Sequence, residues 1–587
     1  KDGDKELYLD KDFNSKSFNY ETILSNTLNS LEVLATPKDD SYLITYNGSE
    51  SSSIDISQTD NIDIKLSVGE GEDTRSSVYT LKLNKVEEYK AEFKVSPIGA
   101  NAVLYDQKGA RIEKNESGIF KGLLPGSKYT YVVTKNGYVS QEGIIIGPEN
   151  LNNGVLEVNL LEAPAPAVPL PDYDGDWINF RGNSENMGIT DSPTPITSEE
   201  SYEKWAVKLG QGWGAAPTPP IIVNDNLYVA SANKLYKLNK DTGEILASSS
   251  NMVNNVGFAL NPITYAEGML FVPVGNGQIQ AFRADTLEGL WVSEKIKGQT
   301  LIPITYHNGY IYGGTWNSET SEGTYYGISV TDEDPTKPDE EKLVSWKLNH
   351  KGGFYWAGAY ATDDYVIFGS DDGSSEGDFV ETAVLYSVKP KSGEIIDTVK
   401  GIKGDIRSTI SYDKESDRIY FSTKGGFFYQ LKVNENGIFD DSTLKSVDLG
   451  GMATGTPLIF NRRAYLGVAG SSQFSVDGHS YKVIDVNLMS EIYSASIPGY
   501  VQTSALLSTH YFDTTGKVYV YTTYNYPPGG IYMLEDSEGQ TEAKTVELFI
   551  PTNKQYCISS LVSDRDGTIY YKNDSGYLMA VARKDVQ

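Results

Sequence analysis

The stretch Leu235–Leu246 (LYKLNKDTGEIL) returns in altered form at Leu385–Ile396 (LYSVKPKSGEII), and its reading decides the fold. Each copy is a short strand with alternating apolar side chains, then a turn carrying Gly, then the start of another strand. Outward from the first copy, Pro220–Val223 (PIIV), a turn at Asn224–Asn226 and Leu227–Ala230 (LYVA) complete a unit of four strands. Pro262–Tyr265 (PITY), Met269–Val272 (MLFV), Ile279–Thr286 and Leu290–Val292 (LWV) make the next. Further inner strands are expected at Pro303–Tyr306, Gly358–Thr362, Ser408–Tyr412, Thr456–Phe460, Ser504–Ser508 and Ser559–Ser563. Self-similarity at a spacing of about 40–50 residues is the mark of propeller blades, which bury their faces only against one another.

Eight units result. The last, with Ile569–Tyr571 and Tyr577–Ala582, lacks an outer strand, while Lys204–Leu209 (KWAVKL) stands before the first unit without a partner. Pairing the two closes the ring and removes an exposed edge. The expected fold is all-β: two small N-terminal β-sandwich domains, then an eight-bladed β-propeller whose last blade is completed by the strand at about 204–209.

Composition agrees. The 587 residues carry 41 Tyr and 56 Gly, favouring strands and turns over helices. The net charge of −29 repels phosphate backbones, and no basic stripe offsets it, so nucleic acid is excluded as a partner. Cys557 is the single cysteine, which rules out an intramolecular disulfide and a cysteine zinc cluster. No apolar run reaches the ~18–20 residues of a membrane helix. The chain opens on Lys1 in a polar segment, and is expected to be a mature or trimmed chain without its signal peptide. Ala163–Pro171 (APAPAVPLP) reads as an extended spacer. The expected domains are 1–88 and 89–162 as sandwiches, 163–171 as linker and 172–587 as propeller.

Three resemblances follow from these residues. The LYKLNKDTGEIL repeat, Ile279–Trp291 and Asp176–Asn183 (DWINFRGN) resemble the repeats of pyrroloquinoline-quinone (PQQ) dehydrogenases and their relatives. Ile62–Val68 (IDIKLSV) and Ser77–Leu83 (SVYTLKL), within residues 7–86, resemble a bacterial cadherin-like β-sandwich. Gly118–Gly126 (GIFKGLLPG) and Tyr129–Tyr138 (YTYVVTKNGY), within residues 91–162, resemble PEGA-type or carboxypeptidase-regulatory-like sandwiches. The first resemblance implies either a quinoprotein dehydrogenase using PQQ and Ca²⁺ or a scaffold of the BamB type in outer-membrane assembly. The other two imply spacers.

Chemistry is sparse. One cysteine excludes the vicinal disulfide of the alcohol dehydrogenases, and no Glu/Asn/Asp set matches their metal motif, so no catalytic residue and no metal ligand is assigned. His307, His350, His479 and His510 share no metal-binding spacing, and neither a GxSxG elbow nor a GxxxxGK[ST] loop occurs. Acidic turns at Asp172–Asp176, Asp371–Asp378 and Asp564–Gly567 lack the twelve-residue calcium loop and read as solvated turns. The segments entering the inner strands converge at the propeller's funnel. There Trp213, Phe258, Tyr355, Trp356 and Tyr556 offer stacking faces, while Gln299, Arg407 and Gln502 offer polar contacts.

The function expected from these residues is a non-catalytic bacterial cell-surface binding or adhesion protein, extracellular and monomeric, without a cofactor. Its funnel would take a small molecule, a glycan or a surface protein. A PQQ- and Ca²⁺-dependent dehydrogenase and a BamB-like scaffold are the alternatives.

Overall fold

The computed structural model describes residues 7–11, 13–37, 41–69, 74–135, 137–164, 168–212, 216–257, 262–471 and 477–584. The chain divides into two compact units, Lys1–Ala163 and Pro164–Gln587.

In the first unit, Asn61–Val68 (NIDIKLSV) alternates side chains so that Ile62 is fully buried while its neighbours face outward. It pairs antiparallel with Arg75–Val86 and Leu43–Tyr46, and Asn19–Ser25 runs parallel to Arg75–Val86 from Asn19 opposite Thr80 to Ser25 opposite Val86. Tyr20, Leu24, Leu31, Ile56 and Leu83 fill the core beneath. A second pair of sheets follows. One runs Phe120–Leu123, Tyr89–Ser96, Val155–Asn159, and the other Gln141–Ile145, Tyr129–Thr134, Asn101–Tyr105, Arg111–Ile112. Ala91, Leu104, Phe120, Val133 and Ile145 are buried together in one core that both sheets supply.

The second unit is a propeller. Its described residues form eight sheets of four or five strands. The first shows how sequence makes one: Ile221–Val223, Asn226–Ser231, Lys234–Asn239 and Ile245–Ser248 pair antiparallel in succession. Asn224 and Asp225, both at positive φ (48° and 58°), make the two-residue hairpin that matches strand twist. Asn461 and Arg462 do the same between Leu458–Phe460 and Arg463–Val468. Core clusters straddle neighbouring sheets around the ring. Tyr228 packs with Leu270, Phe271 with Ile304, Tyr325 with Phe368, Ile367 with Phe421, Phe428 with Leu466, and Tyr465 with Val520. One last cluster joins Tyr521, Tyr570 and Val229, so the final sheets pack back on the first.

The repeated GE turn has a packing role. Gly243 (φ 74°) lies under Trp205, where an added Cβ would come within 2.8 Å of the ring. Gly393 (φ 66°) lies under Trp346 at 2.5 Å. Each indole N–H also reaches the turn, Trp205 donating to the Lys240 carbonyl (3.0 Å) and Trp346 to the Pro390 carbonyl (2.8 Å). Lys240 and Pro390 hold the same place in the two copies of the repeat.

The closing strand is Ser201–Lys208, three residues longer at its start than the sequence suggested. It pairs antiparallel with Tyr577–Arg583 from Ser201 opposite Arg583 to Lys208 opposite Tyr577, with a bulge between Glu203 and Trp205. Two strands were not anticipated: Ile189–Thr190, parallel to Leu506–Ser508, and Glu340–Lys342, parallel to Gly289–Ser293. The proline-rich stretch also differs from a free spacer. Its residues 165–167 lie outside the described residues, but Arg283 donates to the carbonyls of Val168 and Pro169, both at 2.9 Å.

Candidate functional site

Residues 177–190 carry no strand period, yet they organise the ring's centre. Main-chain bonds tie them to the inner strands of four sheets: Ile222 N–H to Trp177, Tyr265 N–H to Ile178, Tyr412 N–H to Glu185 and Leu507 N–H to Gly188 (2.8–3.0 Å). The fully buried Arg181 donates to the carbonyls of Ala505, Met187 and Asn186. Asn186 donates to the carbonyls of Ala359 (2.8 Å) and Ile410 (2.9 Å). A buried carbonyl left without a partner costs about 1–3 kcal/mol, and these side chains supply donors where the strand ladders do not.

Phe180, from this segment, faces a recess of about 370 Å³, mouth included, on the channel. Trp356, Arg407 and Gln502 line it with the hydroxyl side chains of Thr454, Thr456, Thr503, Ser504 and Ser560. The loop before Trp356 turns through Gly352 and Gly353, both at positive φ, and a Cβ on Gly353 would come within 2.9 Å of the Thr315 carbonyl. Trp356 itself sits at φ 59°, a region that bulky side chains rarely enter, and its buried indole nitrogen has no partner among the described residues.

Arg407 is the electrostatic centre. Its Nε and Nη2 reach Asp371 at 3.2 and 2.6 Å, Nη2 lies 3.2 Å from Asp405, and Nη2 also donates to Glu319. Lys424 stands 3.3 Å from Glu319 and 4.0 Å from Asp405. The guanidinium packs 4.5 Å from the Tyr355 ring centroid and 6.0 Å from that of Trp316. Burial pushes the Asp371 carboxyl well above its usual range, with Arg407 pulling against it, and burial lifts the Tyr355 hydroxyl to about 12. The carboxylates in turn hold Arg407 firmly charged.

Of the residues singled out from sequence, Trp356, Arg407 and Gln502 line the recess. Tyr355 lies behind Trp356, at 4.6 Å between centroids. Gln299 is exposed on Gln299–Thr300, and Tyr556, 40% exposed, packs edge-on to Tyr526; neither lines the recess. Trp213 and Phe258 lie outside the described residues. Two acidic turns are not the solvated turns expected. Asp371 is fully buried, and Asp564 is buried where it accepts the Tyr570 hydroxyl at 2.8 Å. Glu319 gave no sequence signal, lying far along the chain from Arg407, and Phe180 lies within Asp176–Asn183, which was read for its resemblance and not as part of a site. Cys557 is buried, donates to the Lys572 carbonyl, and burial pushes its thiol up to about 11.

Residues 198–320 match the family described as outer membrane protein assembly factor BamB. Among curated proteins none matches. Similar solved structures include BamB from Moraxella catarrhalis (12% identity, 65% of this chain and 99% of that one, TM-score 0.44). A europium-containing methanol dehydrogenase (11%, 70% and 98%, 0.49) and the quinohemoprotein alcohol dehydrogenase from Comamonas testosteroni (11%, 70% and 82%, 0.49) are similar at the same level. The chain is all-β, its second unit is a propeller, and the match to PQQ-type repeats covers residues 198–320. The expectation that it is not an enzyme is withdrawn, because the structures it resembles include dehydrogenases beside a BamB.

Proposed function

We propose that this chain is a bacterial cell-surface binding or adhesion protein whose propeller takes a small molecule or glycan at the open recess beside Trp356, Arg407 and Gln502. One observation carries the reading. Phe180 faces the recess from a segment that the fold pins to four inner strands, while Trp356 holds a strained backbone and an unpartnered indole N–H on its wall. Strain and unmet hydrogen bonds of this kind persist where binding uses them. Residues 1–88 and 89–162 then serve as spacers. An envelope or extracellular location fits the match to a family of outer membrane assembly factors, and no helix among the described residues is long and apolar enough to cross a membrane.

The test is an array of glycans and small metabolites probed with the full chain and with Trp356→Ala. Binding to one ligand class, lost in the variant, supports the site. Unchanged binding by the variant refutes its placement. A second reading, an envelope assembly scaffold, is favoured by the match over residues 198–320, and it predicts capture of extended peptides that Trp356→Ala leaves intact.

A further inference from the structure

Resting on the reading of the recess as a ligand site, we infer that it takes a neutral, acceptor-rich saccharide and does not accept PQQ with Ca²⁺. Three observations lead there.

The first is the direction of the hydrogen bonds. Thr456 Oγ1 accepts the Thr409 N–H (3.1 Å) and Ser504 Oγ accepts the Thr456 N–H (2.8 Å), so each hydroxyl keeps its proton for an outside acceptor. Gln502 Oε1 accepts from Asn525 (3.1 Å), which leaves the Gln502 amide N–H groups to donate. Arg407 engages its neighbours through Nε and Nη2, and its Nη1 has no hydrogen bond among the described residues. The wall thus offers donors that lack acceptors. The ligand must therefore be rich in acceptor oxygens.

The second is charge. Glu319, Asp371 and Asp405 outnumber the two cations among them, Arg407 and Lys424. An anion gains little from a guanidinium so matched, and PQQ, with three carboxylates, would meet more negative charge than positive. The three protein carboxylates do bring oxygens within 4.8 Å of one another, the arrangement a metal ion needs. Arg407 Nη2 contacts all three of them, so a guanidinium already stands where Ca²⁺ would sit. Neither part of the cofactor pair fits these residues.

The third is shape. Trp356 and Phe180 present apolar rings among the hydroxyls, matching the C–H face of a pyranose.

The experiment titrates the full chain, by calorimetry and saturation-transfer NMR, with glucose, galactose, N-acetylglucosamine, maltose, glucuronate, and PQQ plus CaCl₂. Two variants accompany it. Trp356→Gly relaxes the backbone at φ 59° while deleting the indole, and Gln502→Leu removes the amide donors; thermal melts confirm that both fold. The expected result is saturable binding of at least one neutral sugar, weakened tenfold or more in both variants, with glucuronate binding more weakly. Saturable binding of PQQ with Ca²⁺, or of glucuronate in preference to neutral sugars, that is lost in Trp356→Gly overturns the saccharide inference and leaves the recess as a ligand site. Sugar binding that survives both variants overturns the placement itself. Failure of every neutral sugar at millimolar concentration overturns the inference.

Discussion

Replacing Arg407 by Met tests the electrostatic account of the channel. Met keeps much of the side chain's length and apolar contact but removes its charge from beside Asp371 and Asp405, whose side chains are 0% and 5% exposed. Breaking a buried pair by deleting one partner costs about 3–5 kcal/mol. A second route gives a similar figure. Lys424 remains to serve Glu319 and Asp405, so Asp371 is the carboxylate left without a cation. It will take up a proton rather than stay ionised. Holding a carboxyl protonated at pH 7, roughly three units above its ordinary value, costs about 4 kcal/mol at 1.36 kcal/mol per unit, an upper bound on this part of the gap because burial already raises the Asp371 pKa in the wild type.

The sign of the pH dependence follows. Burial raises the folded pKa of Asp371 above its unfolded value, so its folded state binds more protons and stability is lost as pH rises through the raised value. Without Arg407 that value rises further. The gap between wild type and Arg407→Met is therefore expected to be small near pH 5 and to widen to about 3–5 kcal/mol by pH 8. Urea titration followed by tryptophan fluorescence measures it cleanly, because all 7 Trp lie in the propeller unit. A gap below about 1 kcal/mol at pH 8, or one that does not change between pH 5 and 8, would refute the reasoning.

Asp536 is fully buried and accepts the hydroxyls of Tyr465 and Tyr493, both at 2.6 Å, and a proton of Arg463 at 3.0 Å. Asp536→Ala is expected to cost about 3–5 kcal/mol by urea titration, and Asp536→Asn clearly less, since the amide oxygen still accepts. Trp205→Ala removes the ring that packs on Gly243 and on Tyr570 (5.8 Å), and should cost about 3–5 kcal/mol. Hydrogen exchange should then speed up in 577–583 before it does in other sheets; uniform acceleration would deny that strand its local role in closure.

The ring was legible because its signal is periodic. Leu235–Leu246 and Leu385–Ile396 announce strand, turn and strand in place, and the lone KWAVKL segment required a partner. The role of residues 177–190 was not legible, because their main-chain bonds and the reach of the Arg181 and Asn186 side chains end on carbonyls and amides far along the chain, which no local pattern encodes. The candidate site was half visible. Trp356, Arg407 and Gln502 follow from alignment of the units, whereas the pairing of Arg407 with Glu319 depends on a contact across 88 positions. Asp371 misled for a related reason: an Asp–Asp–Gly turn looks solvated until a neighbouring sheet covers it.

The route by which the chain enters the propeller has a mechanical consequence. Traction applied from the side of residue 164 first meets the grip of Arg283 on Val168 and Pro169, then the contacts of residues 177–190 with four inner strands. Only afterwards does it reach Ser201–Lys208 and the seam it makes with Tyr577–Arg583. Load is thus taken up by these contacts before it reaches the seam, and the join that closes the ring is the last to be pulled.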